Sequence, residues 1–422
     1  MRVTETAASS EPAAFGISAT MARALTDTWR FRILSELSVR PMSPSQFVED
    51  VGGELTHVSR CFRQLAKWGY VEILEERPGR RRGAAIEHVY RAIQRAHFDT
   101  SMWKSVPHSN RQALSISVLE SYFERITEAI SAGTFDDEVD RHLSWDGVVL
   151  DRPAWAQLTK GLDEVLDRLP ELEFQAAERI AAAGRESIPT TVGLTAFRSP
   201  RSPGEMLGAP RRCGASTLEG PSSSVLSPKM ARALSNKWRS RILMELSARP
   251  LSPSQFVEEV GGSMTHISRC FRQLADWGFA EVIEERKGGR HGGGIERIYR
   301  NTRRAHFDTP TWETLPRFLR NEVSKSFLES YFARISEAID TGTLDAESDR
   351  HLSWTPIVLD RTAWVEITNI LDSVLAWLPP LEAEAIERLT DTDNDPIPTT
   401  VGLTAFRSPA STMSSKRDQQ KG

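Results

Sequence analysis

The chain is written twice. Met21 aligns with Met230, and an offset of 209 residues then holds without a gap as far as Pro200 and Pro409. Between 21–100 and 230–309, 54 of 80 positions are identical. A period this long belongs to a unit of several elements, not to a solenoid, so one fold must be worked out and then used two times. At 422 residues the chain is in any case too long for a single core. Outside the copies lie residues 1–20 and 410–422, which read as disordered tails, and 201–229, whose Pro, Gly and Ser content is that of a linker.

Charge divides each copy. The net charge of −4 is the sum of blocks of opposite sign. Residues 21–98 hold 13 Lys and Arg against 9 Asp and Glu, and 230–307 hold 14 against 8. Residues 99–200 hold 10 against 17, and 308–409 hold 8 against 18. The basic blocks point at a polyanion and the acidic ones elsewhere. A hydrophobic share of 39% and a charged share of 26% fit a soluble protein. No apolar run approaches the ~20 residues of a bilayer span, and MRVTETAASSEPAAFG lacks the apolar stretch of a secretory signal. A cytoplasmic location with no membrane partner is therefore expected. Cys61, Cys213 and Cys270 are too few and scattered for a disulfide framework or a Cys-rich zinc site.

In the basic block, Leu25, Trp29, Ile33 and Leu37 recur every four residues, predicting an amphipathic helix over Met21–Leu37 that Pro41 ends. Ser43 as N-cap, Pro44 at N1 and Gln46 at N3 predict a second helix through Val51, stopped by Gly52 and Gly53. A third follows from Leu55 to Trp68, with Leu55, Val58, Phe62 and Leu65 as its apolar stripe. Two short helices joined by a tight Gly turn make a helix-turn-helix. After Gly69 the period falls to two, predicting a strand over 71–76 and an antiparallel partner over 86–91. The tip between them carries Arg80, Arg81 and Arg82, or Arg290 and His291 in the second copy.

This order resembles the winged helix-turn-helix of bacterial transcriptional regulators, closest to the ArsR type. Asp27-Thr28-Trp29-Arg30-Phe31-Arg32-Ile33-Leu34 is similar to that family's first helix. Val58 to Leu65, followed by Trp68-Gly69-Tyr70-Val71-Glu72, is similar to its recognition helix and wing. The resemblance covers about 80 residues of each copy and implies double-stranded DNA as partner, the third helix lying in the major groove and the wing in the minor groove. It implies base-edge contacts from His57, Arg60 and Gln64, phosphate contacts from Arg63 and Lys67, and supporting contacts from Thr56, Ser59, Arg80, Arg81 and Arg82. Ser43 and Ser45, at a helix start, are expected on a phosphate. The second copy supplies Ser252, Ser254, Thr265, His266, Ser268, Arg269, Arg272, Gln273, Arg290 and His291. The thiolate pair of the metal-sensing members is missing, so metal sensing is not carried over. Treated as a coil, the 28 residues 201–228 reach ~30 Å, comparable with the ~34 Å between half-sites one DNA turn apart.

In the acidic block, Leu119, Tyr122, Phe123, Ile126 and Ile130 trace a long helix ending at Gly133. Val148 to Leu150 predict a strand, and Asp151 caps a helix striped by Trp155, Leu158, Leu162, Val165 and Leu169. Thr190 to Phe197 predict a second strand, expected to pair with the one near Val148. The fold class is thus mainly α with small β (α+β), each unit pairing a winged helix with a small α+β domain for dimerisation or effector binding. The units are expected to pack as an internal pseudo-dimer, or the chain as a homodimer.

No nucleophile motif or phosphate loop accompanies the His and Asp residues at 97 and 99 or at 140, 142 and 146, so no catalytic residue, cofactor or metal is expected. His57 and Cys61, four apart, supply two ligands, and two do not make a metal site. Cys61 and Cys270 are either packed thiols or redox sensors. Trp145, Trp155, Trp354 and Trp364 line a pocket or fill a core. The leading reading is a non-enzymatic, sequence-specific DNA-binding regulator. Its rivals are a protein-interaction scaffold and a repressor whose acidic domain receives an effector of unknown identity.

Overall fold

The structure is a computed structural model that describes residues 27–78, 86–93, 100–200, 228–287, 295–302, 312, 315–391 and 395–409. No described helix is long and apolar enough to cross a membrane. The chain is mixed α and β, with helix outweighing strand.

Three helices precede the hairpin in the described part of the first basic block, and the second block repeats them behind one more short helix. In the first copy these are α1 (Thr28–Val39), α2 (Pro44–Val51) and α3 (Leu55–Lys67). Asp27 caps α1 by accepting from Arg30 N at 3.1 Å. The α2 start is the expected capping box, Ser43 and Gln46 each bonding the other's backbone amide. Gly52 and Gly53 then turn the chain with φ of 96° and 99°. At Gly53 a second constraint applies, because a Cβ there would stand 2.7 Å from the Trp29 ring. Val58, Phe62 and Leu65 of α3 are buried against Phe31, Leu34 and Phe47, whereas Leu55 stays 47% exposed. The apolar stripe therefore begins one turn later than its spacing predicts. Strands β1 (Val71–Arg77) and β2 (Glu87–Ala92) pair antiparallel, with a register shift between Ile73 and Glu75.

The acidic block of the first copy holds α4 (Thr100–Ser105), α5 (His108–Ala132), β3 (His142–Leu150), α6 (Arg152–Ala183) and β4 (Ile188–Arg198). The second copy repeats the plan as α7 (Pro228–Leu234), α8 (Lys237–Ala248), α9 (Pro253–Val260), α10 (Met264–Asp276), β5 (Ala280–Lys287), β6 (Ile295–Asn301), α11 (Arg317–Asp340), β7 (His351–Leu359), α12 (Arg361–Asp391) and β8 (Ile397–Arg407). The single first helix expected from periodicity is two helices here. Asn236 ends the run and caps α8, its carbonyl accepting from Trp238 N and Arg239 N at 3.2 Å.

The expected strand pairing is overturned. Strand β4 does not pair with β3 of its own copy. The four long strands form a single antiparallel sheet in the order β3-β8-β4-β7, so every ladder joins one copy to the other. Leu194 stands opposite Leu403, its own counterpart, which puts the local two-fold relation at that pair. The pattern of residue types could not show this, since β4 and β8 carry the same sequence and offer the same face to any partner.

Helices cover both faces of the sheet. On one side, Val148, Leu150, Val192, Leu194, Ile357, Leu359, Val401 and Leu403 pack under α6 and α12. On the other, Trp145, Phe197, Trp354 and Phe406 meet Tyr122 of α5 and Tyr331 of α11. Tyr122 reaches over Gly193 to bond Thr404 Oγ1 at 2.5 Å, and Tyr331 reaches over Gly402 to bond Thr195. Burial pushes both phenols far above their ordinary range. The crossing is also ionic. Asp151, the α6 N-cap, accepts from Arg388 of α12 at 2.6 Å, and Asp360 accepts from Arg179 of α6 at 2.8 Å.

The basic blocks sit on this scaffold through their first helices. Phe31 of α1 lies 5.6 Å from the Trp354 ring of the other copy, and α8 correspondingly packs on β3. Arg32 pairs with Glu124 and Glu128 of α5, and Arg125 with Glu36 at 2.9 Å. The acidic halves thus meet the buried face of the first helix and leave α3 and α10 outward.

Candidate nucleic-acid interface

The polar side chains of α3 fall on two faces, and only one is free. Thr56, Arg60, Arg63 and Lys67 recur every three or four residues and are exposed, with Ser59 half-buried beside them. Among the described residues, Arg60 and Lys67 have no ion-pair partner. The Arg63 Nε donates to the Ser59 carbonyl at 3.2 Å, which aims the rest of its guanidinium outward. In the second copy Thr265, Arg269 and Arg272 are exposed and Ser268 half-buried, with Arg272 tied to the Ser268 carbonyl at 3.3 Å. Asp276 stands where Lys67 stands in the first copy.

The other face turns toward the first helix. Gln64 Oε1 accepts from Arg30 at 3.1 Å, and Gln273 from Arg239 at 3.3 Å. Both arginines lie over a tryptophan, Arg30 over Trp68 at 5.3 Å and Arg239 over Trp277 at 5.2 Å. These glutamines, expected at base edges, are half-buried struts between helices. His57 is half-buried in a cleft with Asp27, Thr28, Trp29 and Glu54, its Nε2 3.6 Å from Cys61 Sγ. His266 keeps the same 3.6 Å contact with Cys270 but is exposed.

The two serines at the helix starts are placed differently from expectation. Ser43 is fully buried, its hydroxyl donating to Glu87 at 2.6 Å, and Ser252 does the same to Glu296 at 2.6 Å. Neither hydroxyl can reach a phosphate, because its role in the cap turns it inward. Ser45 is half-buried and Ser254 exposed, so the start of the helix retains one outward hydroxyl in each copy. Arg80, Arg81, Arg82, Arg290 and His291 lie outside the described residues. The strands leading to that tip are internally neutralised. Arg91 pairs with Glu72 at 2.5 Å and Arg77 with Glu75 at 2.7 Å; Arg286 pairs with Glu284 at 2.6 Å.

Cys61 and Cys270 are buried free thiols. Burial, reinforced by the nearby Asp27 carboxylate, pushes Cys61 up to about 11, and burial raises Cys270 as well. A sensor thiol needs the opposite shift. No protein-family model, curated protein or solved structure matches the chain. The site must therefore be argued from its own geometry.

The histidines of the acidic blocks find their carboxylate partners in the opposite copy. His142 bonds Asp372 of the other copy at 2.9 Å and Ser144 at 2.8 Å, and His351 bonds Asp163 at 3.0 Å and Ser353 at 2.8 Å. Asp140 instead receives Arg361 and the Trp364 indole, both at 2.9 Å. His97 and Asp99 are outside the described residues. Each trio has the residue types of a hydrolytic triad, with His351 and Ser353 buried. Trp155 and Trp364 are likewise fully buried core residues. Sequence reading missed Asp27 and Glu54 as neighbours of His57. The signal was present in Asp27 as the cap before Thr28, but only the packing of α1 on α3 brings the two together.

Proposed function

We propose that the chain is a sequence-specific DNA-binding transcriptional regulator, cytoplasmic and non-enzymatic, carrying two winged helix-turn-helix modules. The observation that carries this reading is the outward stripe of α3, Thr56-Ser59-Arg60-Arg63-Lys67, standing on a buried face with no acidic side chain among its members. A helix of this kind fits the major groove, where Arg60 and Arg269 would meet base edges and Arg63, Arg272 and Lys67 phosphates. Gln64 and Gln273 support these helices from behind.

Salt dependence tests the proposal. Each phosphate neutralised contributes ~0.9 to the slope of log affinity against log salt. Full-length protein, titrated with labelled duplex by fluorescence anisotropy, should lose affinity steeply as salt rises. The Arg63→Ala, Arg272→Ala double variant should have a slope shallower by ~1.8, the loss of two contacts. On duplexes selected from a random pool, Arg60→Ala with Arg269→Ala should weaken selected sites far more than random ones. No retention on duplex at low salt, or an unchanged slope, would overturn the reading.

One observation favours a second reading, a protein-interaction scaffold. The strands of the hairpins expose Ile73, Leu74, Val282 and Ile283 beside glutamates that suit no phosphate. Under that reading the duplex titration fails, and the Ile73→Ser, Leu74→Ser variant loses partner binding without any change in thermal stability.

A further inference from the structure

In the first copy the cleft between α1 and α3 gathers a carboxylate, an imidazole and a thiol. The ligand atoms of Asp27, His57 and Cys61 all lie within 4.8 Å of one another, and among the described residues no other trio of potential ligands does so. They come from two helices. His57 and Cys61 are one turn apart on α3, and Asp27 is the N-cap of α1.

We propose that Asp27, His57 and Cys61 form a binding site for one divalent cation of zinc type. The proposal does not depend on the DNA-binding reading. Its first support is distance. A tetrahedral zinc with Zn–S near ~2.3 Å and Zn–N near ~2.05 Å holds the two donors ~3.6 Å apart, and the Cys61 Sγ to His57 Nε2 separation is 3.6 Å. The second is donor chemistry. Thiolate, imidazole and carboxylate together suit a borderline ion such as zinc, whereas magnesium and calcium take oxygen alone. The third is access. The cleft that carries Asp27 and His57 is open to solvent and is also lined by Glu54. One Asp27 oxygen caps α1 through Arg30 N, and among the described residues the other contacts the Arg30 guanidinium at 3.7 Å, which leaves it a lone pair for a metal.

The second copy is a control built into the chain. His266 and Cys270 keep the 3.6 Å contact, which an ordinary thiol–imidazole hydrogen bond would also give. At the position of Asp27 stands Asn236, a neutral amide whose oxygen is turned onto Trp238 N and Arg239 N. A hydrogen bond alone would treat the two copies alike; a metal site would distinguish them.

Cobalt(II) is the probe, added to metal-free full-length protein in which Cys213→Ser removes the third thiol. Binding displaces the Cys61 proton to solvent and forms a cobalt–sulfur bond, read as a thiolate-to-metal charge-transfer band with the visible bands of a tetrahedral ion. The expected result is one equivalent per chain, displaced by zinc. Loss of an outer-sphere partner already weakens metal sites by about 10–100-fold, so Asp27→Asn and Cys61→Ser should each weaken binding at least 100-fold. Their metal-free circular dichroism should match the parent. Asn236→Asp should raise the stoichiometry to two. Absence of the charge-transfer band overturns the site. So does a band indifferent to Asp27→Asn, binding of two equal equivalents by the parent, or failure of Asn236→Asp to add the second.

Discussion

Cutting the chain between its copies should not separate them. Every strand ladder of the four-stranded sheet runs from one copy to the other, so residues 201–227 are not what holds the halves together. The perturbation is a site-specific protease sequence replacing part of 211–220, cleaved after folding. For the halves to remain associated at 1 μM protein, the contacts between them must supply about 8 kcal/mol. Eight aliphatic side chains on one sheet face, Val148, Leu150, Val192, Leu194, Ile357, Leu359, Val401 and Leu403, are buried under helices that cross between copies. At ~1.5–3 kcal/mol each, these alone contribute roughly 12–24 kcal/mol before the entropy of association is subtracted. The aromatic layer on the opposite face and the Asp151–Arg388 and Asp360–Arg179 pairs add to that. Sedimentation of the cleaved protein should therefore show one species of the intact mass at ~1 μM, parting only in denaturant. Leu194→Ala with Leu403→Ala, at the point where the copies meet, should cost ~2–5 kcal/mol per site and bring dissociation into the measurable range. Two species of half mass after cleavage of the parent would refute the interlocked sheet.

Two further outcomes follow from the same interface. Gly193→Ala should cost ~1–3 kcal/mol in thermal unfolding, because its Cβ would press on the Tyr122 phenol and stand 2.8 Å from Thr404 Oγ1; Gly184→Ala, with open space around its Cβ, should show only the smaller cost of its positive φ. The second outcome concerns acid. Hydrogen bonds from Arg388 and Arg179 hold Asp151 and Asp360 below the ordinary carboxylate range. Burial would raise Asp163, but the His351 bond and charge with the Thr100 contacts outweigh it and leave it lowered. Folded values below unfolded ones mean that the stability these groups contribute is complete above the unfolded value of ~3.9 and is lost as pH falls through the folded values. The melting temperature should be level between about pH 7 and pH 5 and should fall below about pH 4. Asp360→Asn should lower the plateau and flatten that fall.

What could be read from the sequence was local. The capping box at Ser43, the stop at Gly52–Gly53, the hairpin after Gly69, the helix end at Gly133 and the Asp151 cap all depend on residues within a few positions of one another, and each is present. What could not be read was partner choice. Periodicity shows that Thr190–Phe197 is a strand, but an identical strand 209 residues away competes for the same pairing, and the copy wins over the nearer β3. The same limit applied to side chains. Helical spacing left His57, Arg60 and Gln64 equally outward, because it says which face is apolar without saying how wide the contact with the first helix is. Arg30 and Trp29 settle it by covering one flank of α3, so that Gln64 becomes a strut and Arg60 stays exposed. In the same way Cys61 and His57 gained Asp27 as a neighbour only through packing.

The interlocked sheet also changes what sets the spacing of the two candidate DNA-reading helices. A flexible linker would let each basic block seek its own half-site, with a spacing distributed around the reach of the coil. Here α1 is fastened to β7 and α8 to β3, each through an aromatic or aliphatic core, so the blocks are held by the scaffold on either side of one two-fold relation. Under the DNA-binding reading, a single preferred spacing and an inverted orientation of half-sites are required, and lengthening 201–227 by ten glycine and serine residues should leave both unchanged. The two candidate surfaces are not identical, since Asp276 stands where Lys67 stands in the first copy. An inverted site read by unequal modules should itself be an imperfect repeat. The half-site under α3 should carry the stronger salt dependence, by about one phosphate contact, because Lys67 has no counterpart on α10.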